Sequence, residues 1–230
     1  MTKFKYLVFL LLSFLLLSFT QNNKPKFFVI GDSISIFYGP FLKMFTEGEF
    51  DYDRKRDKGE AMLNLDKAVG ANGGDSRMVV EYLKELYSNK TFQADYLLVN
   101  CGLHDMKTNP QSGKKQIALN EYRQNLLTIY KLSKKLKVKL IWVNCTPVND
   151  SVHNSKGVAF YRYNKDVLDY NQVSDSIFNS KGVKIIDIYT FSSTFPINAY
   201  LDHIHYKPEF AKLQAAFIAG FLQNYKKQQE

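Results

Sequence analysis

Four short runs of this chain, residues 26–31, 95–101, 138–145 and 183–189, consist largely of Phe, Val, Ile and Leu without polar alternation. A strand with one wet face alternates apolar and polar side chains, so runs of this kind belong to parallel strands covered on both faces. Between them the apolar residues return at helical spacing. Val79, Leu83 and Leu86 share one face, as do Tyr122, Leu126, Ile129, Leu132 and Leu136. Tyr163, Val167, Tyr170 and Ile177 follow, and then Phe210, Leu213 and Phe217. Strands alternating with amphipathic helices build βαβ units, which predicts an α/β domain with a mostly parallel sheet and helices on both sides.

Residues 46–70 are rich in charge and lack a clear period, which leaves room for one further short strand. No linker, repeat or composition shift follows residue 24, so residues 25–230 are read as one domain. Two cysteines and a 45% hydrophobic content exclude a disulfide scaffold, a collagen-like chain and a low-complexity chain. Lys and Arg number 31 against 22 Asp and Glu, a formal charge of +9. They are scattered over polar helix faces, as at Lys131, Lys134, Lys135 and Lys137, with no single stripe. Solvated faces are therefore expected, and no nucleic-acid partner.

Lys3 and Lys5 precede an apolar run over residues 6–19, and polar residues follow from Gln21. A basic start and a short apolar run form the layout of a secretory signal, read here as residues 1–20. Fourteen helical residues rise only about 21 Å, short of the ~30 Å hydrocarbon core, so an uncleaved membrane anchor is the weaker reading. Export is the expectation. Cys101 and Cys145 each end an apolar run, and small buried thiols are expected there in preference to a bridge.

The first run passes directly into Gly31-Asp32-Ser33. In open α/β sheets ligands bind at the carboxyl edge, and a Gly there lets the backbone turn sharply and present Ser33 with the nearby peptide N–H groups. Ser33 could equally cap the next helix. Near the other end stands Leu201-Asp202-His203-Ile204-His205. One turn can bring Asp202 to one nitrogen of His205 while the other nitrogen faces Ser33, the geometry of a general base with its orienting carboxylate. His203 competes for that role. The pair His203 and His205 could also hold a metal, but no third ligand is evident.

Two further segments complete the pattern: Asn72-Gly73-Gly74-Asp75-Ser76, and Asn100-Cys101-Gly102-Leu103-His104-Asp105 at the end of the second apolar run. With these four blocks in order, the chain resembles the SGNH (GDSL-type) hydrolases from Lys26 to about Leu222. The resemblance implies a three-layer α/β/α sandwich with flavodoxin-like layering. It also implies a catalytic triad of Ser33, Asp202 and His205. The implied oxyanion hole comprises the Ser33 and Gly74 amides, with Gly73 the alternative, and the residue at position 104. Here the chain departs from the family, which usually carries Asn where this sequence has His104. An imidazole donates one N–H when neutral and two when protonated, so His104 can stand in for the amide. If it had to be protonated, activity would fall as pH rises through its pKa. Asp32 and Asp105 are read as carboxylates that fix loops.

The implied reaction is ester hydrolysis through an acyl-Ser33 intermediate. Acetyl esters on carbohydrate are the expected substrate, and a thioesterase, lysophospholipase, acyltransferase or non-catalytic glycan-binding protein are the rivals. No phosphate-cradling loop or metal-ligand cluster stands in the sequence, so no cofactor or metal is expected.

Overall fold

The computed structural model describes residues 24–157 and 159–229. The expected signal segment, residues 1–20, lies outside the described residues. Five strands form one wholly parallel sheet in the order β2-β1-β3-β4-β5: β1 Lys26–Ile30, β2 Asp51–Arg54, β3 Tyr96–Val99, β4 Lys139–Val143 and β5 Lys184–Ile186. β2 falls inside the unreadable segment. It is an edge strand, so it can carry Asp51, Asp53 and Arg54 without the cost of burying charge on both faces.

Helix α1 (Ser33–Thr46) links β1 to β2, and the short α2 (Glu60–Leu63) and α3 (Ser76–Ser88) lie between β2 and β3. Then come α4 (Leu119–Lys135), the short α5 (Asp150–Asn154), α6 (Asn164–Ser180), α7 (Ile188–Ser193) and α8 (Pro208–Lys227). Helix α1 packs on α8, while α4 packs between α3 and α6. Right-handed crossovers place these two groups on opposite faces of the sheet, which gives the expected three layers.

Two of the sequence expectations need correction. The fourth apolar run forms only three strand residues, because Asp187 accepts the Thr190 amide at 3.0 Å and starts α7 at once. In α8 the buried side chains are Ala211, Gln214, Ala215, Ile218, Ala219 and Leu222, whereas Leu213 and Phe217 face outward. Alanines make up half of that buried set, and Phe217 stacks on Phe191 of α7 with ring centroids 4.4 Å apart. Cys101 and Cys145 are both free and buried, with the Cys145 thiol 3.4 Å from the Cys101 carbonyl.

The first crossover goes from β1 to β2 at one side, and the next returns to β3 at the other. The chain thus reverses direction at β1, and the carboxyl ends of β1 and β3 flank the position where such sheets bind ligands.

Candidate active site

At the end of β1 a side chain on Gly31 would collide with Ser35, its Cβ coming within 2.7 Å of the Ser35 Cβ. Glycine therefore lets α1 begin immediately. Asp32 is the N-cap in an extended conformation, and its Oδ1 accepts the Ile34 amide at 3.0 Å. Ser33 is the first helical residue, so its own N–H has no intrahelical acceptor. Arg54, at the end of β2, braces this turn from below by donating to the Ser35 carbonyl, the Ser35 hydroxyl and the Ala71 carbonyl. Nothing in the charged run around Arg54 signalled that role.

At the far end of the chain, Tyr200 and Tyr206 form an isolated antiparallel bridge, and the Leu201 amide donates to the His205 carbonyl at 2.7 Å. This closes residues 201–205 into a tight loop. Inside it, Asp202 Oδ1 accepts the Ile204 and His205 amides at 2.8 Å each, and Oδ2 lies 2.7 Å from His205 Nδ1. The opposite nitrogen, Nε2, lies 2.8 Å from Ser33 Oγ. Phe37 of α1 stacks on the His205 ring at 5.2 Å. Burial works to raise the Asp202 pKa, but the hydrogen bonds from the His205 ring and amide, the His205 charge and the Ile204 amide overcome it and hold the carboxyl below the usual range. An ionised Asp202 at Nδ1 fixes the tautomer that leaves Nε2 free to accept the Ser33 proton.

His203 is not in this chain of bonds. Its ring lies against His153 of α5, with centroids 4.5 Å apart. Both nitrogens of His205 are engaged, so the His203–His205 metal pair does not form. Among the described residues no cluster of three His, Cys, Asp or Glu is placed to hold a metal ion.

The second and third blocks are tied to each other. Asp105 accepts the Ser76 amide on both carboxylate oxygens at 3.0 Å and also accepts the Ser76 hydroxyl, while Asp75 caps α3 through the Met78 amide. Burial pushes the Asp105 carboxyl up to about 7 against the pull of the Ser76 bonds. The two Gly amides are occupied: Gly73 N–H donates to the Gly31 carbonyl at 2.8 Å and Gly74 N–H to Asn72 Oδ1 at 3.0 Å. The expectation of a free Gly74 donor therefore needs amending, since an oxyanion would have to displace a neutral side-chain amide oxygen to reach it.

His104 is buried, and its ring makes no hydrogen bond among the described residues. Burial, followed by the charges of Lys107, Arg162 and His205, holds it well below the ordinary histidine range. It is a neutral imidazole with one N–H to give. This setting disfavours the protonated form of His104. Around it lie residues that sequence reasoning did not single out. Arg162 is 2% exposed and donates from Nε to the Leu103 carbonyl at 2.8 Å, while Lys107 donates to the Asp66 carbonyl and lies 4.3 Å over the Phe160 ring. The one signal available in the sequence was the histidine count, because the chain has only four and all of them converge here.

A family model described as GDSL-like Lipase/Acylhydrolase matches residues 27–218. No curated protein matches in sequence. Among solved structures, the lipase/acylhydrolase from Enterococcus faecalis is similar with a TM-score of 0.57 at 14% identity, over 87% of this chain and 96% of that one. A GDSL-like lipase from Bacteroides thetaiotaomicron VPI-5482 gives 0.61 at 11% identity, over 87% and 89%. An alpha/beta hydrolase enzyme from the metagenome of Lake Arreo, Spain, gives 0.57 at 13% identity, over 86% and 92%. At these identities the likeness speaks for the fold.

Proposed function

The chain belongs to the GDSL-like lipase/acylhydrolase family, and from that premise we propose that it is a serine esterase working through an acyl-Ser33 intermediate. The observation that carries this reading is the unbroken line from Asp202 through His205 to Ser33, with contacts of 2.7 and 2.8 Å. Ser33 Oγ attacks the ester carbonyl carbon as His205 Nε2 takes its proton, and Asp202 supports the imidazolium that results. The oxyanion is held by the Ser33 amide, by an N–H of His104, and by the Gly74 amide once the oxyanion, a stronger acceptor, replaces Asn72 Oδ1. Collapse expels the alcohol, which takes the proton from His205. Water then repeats the sequence on the acyl-enzyme.

The substrate we infer is a short acyl ester, acetyl first, carried on carbohydrate outside the cytoplasm. Recessed reacting atoms support the short acyl group, since Ser33 is 7% exposed and His205 2%. The signal-like residues 1–20 support export. One observation favours a second reading, an acyl hydrolase for longer chains. The two most exposed large apolar side chains among the described residues, Leu63 at 86% and Ile197 at 75%, stand at the end of α2 and in a short helical turn after α7, in the connections that follow the two edge strands β2 and β5.

A fluorophosphonate probe is expected to label the protein at Ser33 and to leave Ser33→Ala unlabelled. Aryl esters of increasing acyl length, with acetate release from acetylated glycans, then divide the two readings. Preference for acetyl supports the first and preference for octanoyl the second. An unlabelled Ser33 in folded protein would overturn both.

A further inference from the structure

We propose that Arg162 is a positioning residue for this reaction: its buried guanidinium holds the loop that carries His104 and sets a fixed positive charge beside that imidazole. The proposal rests on the acyl-enzyme reading above.

Arg162 lies just before α6 and ties the loop of His104 to the segment around His153. Its Nε donates to the carbonyl of Leu103, the residue preceding His104, and its amide donates to Asn154 Oδ1 beside His153. Its guanidinium packs over the Phe160 ring at 4.7 Å; that ring lies 5.6 Å from His153, and His153 in turn contacts His203. Asp66, from the loop after β2, stands 3.6 Å from Nη1, too long for a hydrogen bond, and Nη1 is a buried donor without an acceptor. Asp32 at the end of β1 and Asp202 in the last loop add attraction at longer range, and Lys107 adds repulsion. Burial lowers the Arg162 pKa, though only to about 10, so the group stays cationic at neutral pH.

His104 and His203 both lie near enough to His205 for their charges to be felt. A second imidazolium near His205 would oppose the one that must form there when Ser33 gives up its proton. Among the described residues only His205 has a carboxylate at hydrogen-bond distance from its ring. Burial is the first influence that disfavours charge on His104, His153 and His203, and the Arg162 charge adds to it at all three. At His203 the Asp202 and Asp66 charges push the other way without prevailing. An Asn at position 104 could not be protonated. A His there can be, and here burial first, then the Lys107 and Arg162 charges, disfavour its protonation.

The test is a histidine-resolved NMR titration of the whole protein between about pH 5 and 8, with pH profiles of kcat and KM on an aryl acetate. In the wild type His104 and His153 are expected to stay neutral over most of that range. In Arg162→Gln, His104 should begin to titrate inside the window, and the acid limb of kcat should move to higher pH by about one unit with KM little changed. Arg162→Lys keeps the charge and loses the planar fork, so it should retain the wild-type histidine pattern with a lowered kcat. Titration of His104 in the wild type, or identical histidine titrations in Arg162→Gln, would overturn the proposal. Should Arg162→Gln fail to fold, a shifted His104 titration in Arg162→Lys would overturn it equally. These titrations need no substrate, so a protein with the expected pattern but no acyl-enzyme overturns the proposed function alone.

Discussion

His205 Nε2 lies 2.8 Å from Ser33 Oγ, although 172 residues separate the two along the chain. The contact depends on Asp202, whose Oδ1 shapes the loop through two amides while Oδ2 orients the ring. Asp202→Asn can keep the amide contacts through its oxygen but places an NH₂ or a neutral oxygen at Nδ1. The tautomer is then no longer enforced, and kcat should fall by roughly 10⁴-fold with the fold intact. Steady-state kinetics with a circular dichroism control checks this, and a loss below about tenfold would argue that another group orients His205.

His104 should behave as a neutral donor. In the proposed mechanism His104→Ala removes one donor to the oxyanion and should cost on the order of 3 kcal/mol, about a hundredfold in kcat. His104→Asn supplies an amide N–H instead and should recover most of that loss. Because burial and the neighbouring cations already keep the ring neutral, wild-type activity should show no decline that tracks His104 deprotonation as pH rises from 6 to about 8. A falling alkaline limb that disappears in His104→Asn would contradict this.

The layers were legible in the sequence, and so were Ser33, Asp202 and His205, which the structure brings into one hydrogen-bonded line, because strands, turns and short motifs leave local marks. Unalternating apolar runs mark buried strands, and Gly31-Asp32-Ser33 marks a turn into a capped helix. Most of what stayed hidden depends on distant partners. β2 is an edge strand paired with β1 alone, so it shows little apolar signal, and Arg54 acts on a turn 19 positions away in sequence. Leu213 and Phe217 face outward because the buried face of α8 is built largely from alanines, which a search for large apolar side chains overlooks. The Asn72 bond to Gly74 is a loop contact with no periodic trace.

Gly74→Ala should be damaging even before catalysis is considered. Gly74 has φ +72, and a Cβ there would come within 2.6 Å of both the Ala68 Cβ and the Met78 Sδ. The left-handed backbone alone costs a non-Gly residue about 1–2 kcal/mol. A lowered melting temperature is expected, together with a kcat loss larger than that of Gly73→Ala, whose backbone is not in that region. Unaltered stability in Gly74→Ala would mean that the loop carrying it can relax away from α3.

The two thiols should be inert in the folded protein. Burial drives both Cys101 and Cys145 well above the ordinary thiol range, and neighbouring charges add to the effect. Alkylation by iodoacetamide at neutral pH is expected only after denaturation, and a reductant should leave the melting temperature unchanged. Rapid labelling of either cysteine, or a melting temperature lowered by reductant, would show a different environment.

Stability should carry the signature of Asp105. Its carboxyl is raised by burial from 3.8 to about 7, so between these values the folded protein keeps a proton that the unfolded chain has released. Folding is then favoured at the acid side of the window and weakened as pH climbs toward 7, the opposite of an exposed or ion-paired carboxylate. Asp202 works the other way, since its depressed carboxyl loses stability only as pH drops below about 3.8, outside this window. The buried histidines oppose Asp105 in part. His153 is lowered to about 4, so acidification from 6.5 protonates the unfolded chain first and costs stability. Asp105→Asn isolates the carboxylate, because an amide oxygen can still accept the Ser76 N–H but cannot ionise. The melting temperature of Asp105→Asn relative to wild type should therefore rise steadily from about pH 4 to 7. A flat difference over that range would mean that the Ser76 bonds, and not burial, decide the charge of Asp105.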